Sequence, residues 1–214
     1  NIYATSHKFK DGSIAEMIYR PDKEESFFLH HQKGKYKLVS NFPLGEETNA
    51  GGNVKIITLK PLPPFSDMIK TGFIRLPSDM TEYKTESELF KQIKKYIDTY
   101  VVLPDDFSTI AAVYVMMSWI HDHFQVLPYL RVIGMYGTGK SRFLSVVGSI
   151  CYQPMMAGGS ATPASLFRTV DQVKGTFVLD EADFKTSEMW SEIVKILNSG
   201  QTQGSPVIRM EPKG

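Results

Sequence analysis

Apolar and polar positions alternate through most of the first sixty residues. Four runs carry the pattern: Ile2 to Lys8, Ile14 to Tyr19, Ser26 to Gln32 and Tyr36 to Ser40. A period of two is that of a strand with one buried face. Asp11-Gly12 separates the first two runs and Lys33-Gly34-Lys35 the last two, and both have the composition of hairpin turns. After the loop Asn49 to Asn53, Val54 to Leu59 alternates again, and Pro61, Pro63 and Pro64 close the region, since proline cannot donate to a ladder. The pattern predicts a small β-rich domain or extension over residues 1–80. His30 and His31 are adjacent, so on a strand they point to opposite faces and make a poor metal pair. With Lys33, Lys35 and Lys37 they read as a solvated hairpin, a nucleic-acid contact being the alternative.

Pro77 to Lys84 is a polar linker. The period then changes. Thr85-Glu86-Ser87-Glu88 has capping-box spacing, and Leu89, Phe90, Ile93, Tyr96, Ile97, Tyr100 and Val101 recur at helical intervals until Pro104. A second, more apolar helix is predicted from about Asp106 to His121. It is apolar nearly all round, which predicts burial between layers. Its most apolar run, Thr109 to Ile120, is too short to span a bilayer. His121-Asp122-His123 suits a helix end better than a metal site, because residues two apart do not share a helix face. Residues 81–125 are therefore a helical linker.

From Val126 the elements alternate. Leu130-Arg131-Val132-Ile133 predicts a short buried strand, and Arg142 to Ile150 a helix with Phe143, Leu144, Val146, Val147 and Ile150 apolar. Pro154 to Ala157 predicts a second strand. Gly158 to Thr162 is a small-residue loop, and Pro163 opens a helix carrying Ala164, Leu166, Phe167 and Val170. Thr176 to Leu179 is a third strand. Ser187 opens a helix with Trp190, Ile193, Val194 and Leu197 on one stripe, stopped at Asn198-Ser199-Gly200; Pro206 to Met210 is a last strand. The fold class is α/β over residues 126–214.

Between the first strand and its helix lies Gly134-Met135-Tyr136-Gly137-Thr138-Gly139-Lys140-Ser141, which fits G-x-x-x-x-G-K-[ST] at every fixed position. Three glycines let backbone N–H groups approach phosphate oxygens, and the helix N-terminus adds its positive dipole end. Gly134, Gly137, Thr138, Gly139, Lys140, Ser141 and Arg142 are the candidate nucleotide contacts. Lys140 reaches the β- and γ-phosphates and so also serves catalysis, and the Ser141 hydroxyl ligates Mg²⁺. The third strand ends in Asp180-Glu181. Asp180 would hold the Mg²⁺ water shell, and Glu181 would polarise the attacking water. For Asp183, an N-cap before Phe184 or a surface role stands beside metal contact. Together these residues predict a P-loop NTPase core binding ATP and Mg²⁺.

Bulk properties add limits. The chain has 214 residues and net charge +1, so any nucleic-acid site is local and not a matter of overall charge. The single cysteine, Cys151, cannot form an internal disulfide and occupies a core position, which suits a reducing cytoplasm. No signal peptide is legible. The sequence starts at Asn1 and ends in Glu211-Pro212-Lys213-Gly214, and the expectation is of a piece excised from a longer protein.

The order strand, phosphate loop, helix, strand, helix, Asp-Glu strand, helix, strand resembles the AAA+ class of P-loop ATPases, including superfamily-three and minichromosome-maintenance-like helicases. More closely, residues from about 85 to 214 resemble mobile-element and prokaryotic replication-helicase-like ATPases, in phrases such as Leu127-Pro128-Tyr129-Leu130-Arg131-Val132, Leu179-Asp180-Glu181-Ala182-Asp183-Phe184 and Val194-Lys195-Ile196-Leu197-Asn198. Residues 1–80 carry no such resemblance. The resemblance implies an oligomeric ATP-hydrolysing motor on single-stranded DNA, with Arg209 and Lys213 flanking a hairpin that touches phosphates. A protein remodeller or nucleotide-dependent switch is the alternative; a small-molecule kinase lacks any legible acceptor pocket. In the AAA+ sheet a further strand lies between the phosphate-loop strand and the Asp-Glu strand and carries a polar sensor. The sequence departs here: no such strand, lid or arginine finger is clear, and only Arg168 and Arg209 are candidates for reaching a neighbour's nucleotide. Residues 1–214 alone are accordingly expected to turn ATP over poorly, and the phosphate-loop and Asp180 strands to lie apart with a gap between them.

Overall fold

The computed structural model describes residues 1–48, 54–157 and 173–180. They divide into two compact units. The first comprises Asn1–Glu82 with the described residues 173–175, and the second comprises the chain from Tyr83 with residues 176–180.

The first unit is built on two sheets. Strands β2 (Ser6–Lys8), β3 (Ile14–Arg20), β4 (Glu25–Gln32) and β5 (Lys35–Val39) form an antiparallel sheet in chain order. Strands β1 (Ile2–Ala4), β7 (Val54–Pro61) and β6 (Phe42–Thr48) form another, with β1 parallel and β6 antiparallel to β7. The run Ile2 to Lys8, read above as one strand, is two strands in different sheets. The break is Thr5, fully buried, whose carbonyl accepts from Met17 N at 2.7 Å and whose hydroxyl donates to Val173 O at 3.1 Å. Both hairpin turns form, with Gly12 at φ 82° and Lys33 and Gly34 at φ 50° and 75°. Strand β6 forms despite Pro43 and Gly45, residues that disfavour a strand; a register shift between them absorbs the disruption. Alternation then fixes the core: Ala15, Met17 and Phe28 from one face of the four-stranded sheet pack with Leu59 and Leu62.

The second unit begins with α2 (Glu86–Tyr100), the short α1 (Asp67–Lys70) lying in the first. Thr85 caps α2 by accepting from Glu88 N at 3.2 Å. Pro104 starts α3 (Asp105–Trp119), followed by a 3-10 turn at His121–His123. An ionic clamp holds α2 to the start of α3: Lys94 Nζ lies 2.9 Å from carboxylate oxygens of both Asp98 and Asp105, and the Ser108 hydroxyl donates to Asp98. Both contacts hold the Asp98 carboxyl below the usual carboxylate range, Lys94 contributing most. Helix α4 (Lys140–Gly148) and strands β8 (Met155–Ala157) and β9 (Phe177–Leu179), a parallel pair, complete the described part. Ile97, Ala111, Ala112, Val115, Phe143, Val147 and Cys151 form its core.

Two sequence expectations fail in this unit. Helix α3 is not buried all round. It buries the small stripe Ser108, Ala111, Ala112 and Val115, while Phe107, Ile110 and Val113 are more than half exposed. Composition reports total apolarity, but a helix buries only the faces that neighbours cover. Nor is Leu130–Ile133 a buried strand. Leu130 and Val132 lean on the core, yet Ile133 is 82% exposed and no ladder forms there, since β9 pairs with β8 among the described residues. Apolar alternation supplies a buried side, but a strand also needs a hydrogen-bonding neighbour. Among the described residues, no helix is long and apolar enough to cross a membrane.

Candidate phosphate-binding site

The glycine loop runs from Gly134 into the N-terminus of α4. Gly137 and Gly139 hold φ of 79° and 87°, left-handed values that cost a residue with a Cβ about 1–2 kcal/mol. Gly134 answers a different need. A Cβ there would stand 2.7 Å from Thr138 Oγ1, and that hydroxyl donates to Met135 O at 2.8 Å, fastening the loop across its base. Two glycines thus serve conformation and one serves space.

Gly139 is the N-cap of α4 and offers no side chain, so no side-chain acceptor satisfies the first N–H groups of the helix. Unsatisfied N–H groups at the positive end of a helix dipole attract an oxyanion. Lys140 sits in that first turn. Its Nζ donates to Gly134 O and Met135 O, each at 2.9 Å, which folds the ammonium over the loop. A phosphate offers anionic oxygens that an ammonium prefers to neutral carbonyls. The loop is open to solvent, with Met135 and Tyr136 projecting from it. The loop thus offers an ammonium and the positive end of a helix to an anionic group.

Lys140 and Asp180 line one cavity of about 470 Å³, within the range of about 300–1,000 Å³ usual for small-molecule sites. One wall is the extended segment Tyr129–Val132 and another is Thr176–Leu179; Phe143, Leu144 and Val147 of α4 supply further apolar surface. Gly148 permits the close seating of α4 on β9, since a Cβ there would meet Val178 Cγ2 at 2.7 Å. Among the described residues Ile133 and Leu179 do not lie on paired strands, and Val132 and Leu179 line this cavity. Spacing gave no hint of the remaining liners, Tyr114 and Cys151. Burial pushes the Tyr114 phenol up and the Cys151 thiol to about 11. Lys140, Arg131 and Asp180 line this mostly apolar space together.

The other candidates fall as follows. Ser141 is exposed on the first turn of α4. Arg142 is exposed and its Nε donates to Tyr100 O at 2.6 Å, so it braces α4 against the end of α2. Glu181, Asp183, Arg168, Arg209 and Lys213 lie outside the described residues, as do the helices read from Pro163 and Ser187 and the strand Pro206–Met210. No group of three or more His, Cys, Asp or Glu in metal-holding geometry occurs among the described residues. Mg²⁺ held through one or two protein oxygens plus phosphate does not need one.

Comparison with protein-family models, with curated proteins and with solved structures gives no match.

Proposed function

We propose that this chain carries a P-loop, AAA+-like ATPase core that binds ATP with Mg²⁺ and hydrolyses it to drive a helicase-like motor on nucleic acid, in replication or mobile-element maintenance. The carrying observation is the cradle itself. Its loop is held by Gly137, Gly139 and the Gly134–Thr138 contact, it opens onto a helix end without a side-chain cap, and its Lys140 shares a cavity with Asp180. Lys140 would pair with the β- and γ-phosphates, and Ser141 and Asp180 would hold Mg²⁺. Bound Mg²⁺ neutralises charge on the phosphate oxygens. Glu181 would take up the proton of the attacking water. A homo-oligomer is part of the reading, because a neighbour's arginine would complete charge neutralisation at the γ-phosphate. A cytoplasmic site of action is part of it too.

A nucleotide-dependent remodeller or switch acting on protein is the second reading. The exposed stripe Phe107, Ile110 and Val113 on α3 favours it, as apolar surface of that kind suits a protein partner. The rate of ATP hydrolysis with and without single-stranded DNA separates the two. The motor reading expects stimulation by the strand; a steady rate indifferent to DNA sinks it and leaves the remodeller.

A further inference from the structure

The first unit has an outer sheet face that the ATPase reading does not use. Residues directly opposite across a ladder share a face. One row therefore crosses the whole four-stranded sheet, Lys8 to Ile14 to His31 to Tyr36. The next row on that face ends in Leu29 and Leu38. The opposite face, with Ala15, Met17 and Phe28, is the one buried in the core. Tyr36 is 52% exposed and Leu38 46%. The Tyr36 ring lies over the His31 ring, with centroids 4.7 Å apart and planes 32° from parallel. An exposed phenol backed by a second ring offers a flat, pre-set face.

Positive charge is concentrated along this hairpin. No carboxylate occurs in the sequence between Glu25 and Glu46, whereas Lys33, Lys35 and Lys37 fall inside it. All three lysines are exposed. Lys35 and Lys37 stand opposite Gln32 and His30 and so start from the other face than Tyr36, but both are exposed, β5 is an edge strand among the described residues, and a four-carbon stem is long enough to reach round that edge. Lys33 sits in the turn, where two successive left-handed residues give a tight hairpin with little freedom. Of the acids at this end, Asp11 is engaged by Gln32 Nε2 at 2.8 Å and by Ser13, and Glu16 lies in the next row, opposite Leu29. The Asp11 side chain thus faces its own turn and Gln32.

We propose that the β4–β5 hairpin is a contact surface for single-stranded nucleic acid, with Tyr36 stacking on a base and Lys33, Lys35 and Lys37 meeting phosphates. Stacking needs an open base face, which a duplex does not present and a single strand does. The choice of nucleic acid as partner rests on the motor reading above, while the geometry stands in the other unit. Edge lysines also discourage strand-to-strand association, so the test must tell the two roles apart.

The test is fluorescence anisotropy with a labelled oligothymidylate, a duplex of equal length and phosphatidylserine vesicles, over a range of salt and without nucleotide. Tyr36→Ala is expected to weaken oligothymidylate binding about tenfold. Replacing Lys33, Lys35 and Lys37 together by Gln should flatten the log–log salt dependence by about two, near 0.7 per lost phosphate contact. Circular dichroism and the melting temperature of both variants should match the parent. Equal affinity for duplex, or binding to vesicles but not to oligothymidylate, overturns the proposal. So does unchanged binding in both variants, including the case where the lysine variant only self-associates; the motor reading then survives with its contact elsewhere. If the parent protein binds no oligonucleotide while ATP still binds, the nucleic-acid reading itself falls.

Discussion

The two units reach a sheet by different routes. In the first, each strand of the four-stranded sheet pairs with its neighbour in sequence, through turns at Asp11-Gly12 and Lys33-Gly34. Local pairing lets side-chain alternation choose the register, and the core forms on one face. In the second unit the described sheet is the parallel pair β8–β9, three residues long in each strand. Parallel strands need a crossover, so no local turn sets them. A mostly apolar cavity borders this pair, and Lys140 and Asp180 line it. Candidate chemistry thus lies in the unit whose sheet depends on distant contacts. The unit with the self-sufficient sheets offers a surface instead.

The comparison breaks most sharply at Glu181. Glu181→Gln keeps size and hydrogen bonding but cannot accept a proton, so ATP binding should persist while hydrolysis falls about a hundredfold. Normal turnover by that variant moves the water-activating role elsewhere, with Asp183 next in line. Gly134→Ala tests the loop by space alone. Its Cβ would collide with Thr138 Oγ1, and the strained loop should lose ATP affinity about tenfold, roughly 1.4 kcal/mol, with melting almost unchanged because the loop is exposed. Unaltered affinity in a titration would mean the cradle gives way freely.

A smaller effect is expected at the α2–α3 clamp. Asp98→Ala removes the partner of Lys94 and Ser108, and a pair this open to solvent screening contributes little. The pH sign follows from the depressed Asp98 carboxyl. Its contribution is present above the ordinary carboxylate range and is lost as pH falls through the folded value. The variant should therefore melt slightly lower than the parent near neutrality, and the gap should close in acid. A constant gap down to acid pH would assign the loss to packing.

Cys151 should change least. Burial raises its thiol to about 11, and the thiolate is the reactive form. Alkylation of the native protein near pH 8 should be slow, becoming fast on unfolding. The stability carried by the neutral thiol is present below its unfolded value near 9 and declines as pH rises towards 11. Rapid labelling of native protein would show that the wall of the cavity beside Cys151 opens.

Legibility followed the same division. The N-cap at Thr85 and the two hairpin turns act within a few residues, and the structure has them where the sequence places them. Thr5 could not be read as a strand break, because what breaks the strand is a bond to Val173 far along the chain. Pro43 and Gly45 hid β6, since a bulge forgives what propensity forbids. The exposed side of α3 was invisible because periodicity does not say which faces have neighbours. At the site, the glycines and Lys140 were legible from a fixed local motif. Tyr114, Gly148 and Cys151 were not, as they meet the cavity only through packing of α3, α4 and β9.

The central claim is that the Gly134–Ser141 cradle holds the phosphates of ATP, and calorimetric titration of Mg·ATP into the parent protein and into Lys140→Ala tests it most directly. The ammonium of Lys140 already lies over the loop, 2.9 Å from Gly134 O and Met135 O, and alanine leaves no cation in its place. The expected result is saturable binding by the parent and affinity at least about tenfold weaker in the variant, or roughly 1.4 kcal/mol. Equal affinity in the two proteins, or no binding by the parent, would contradict the claim.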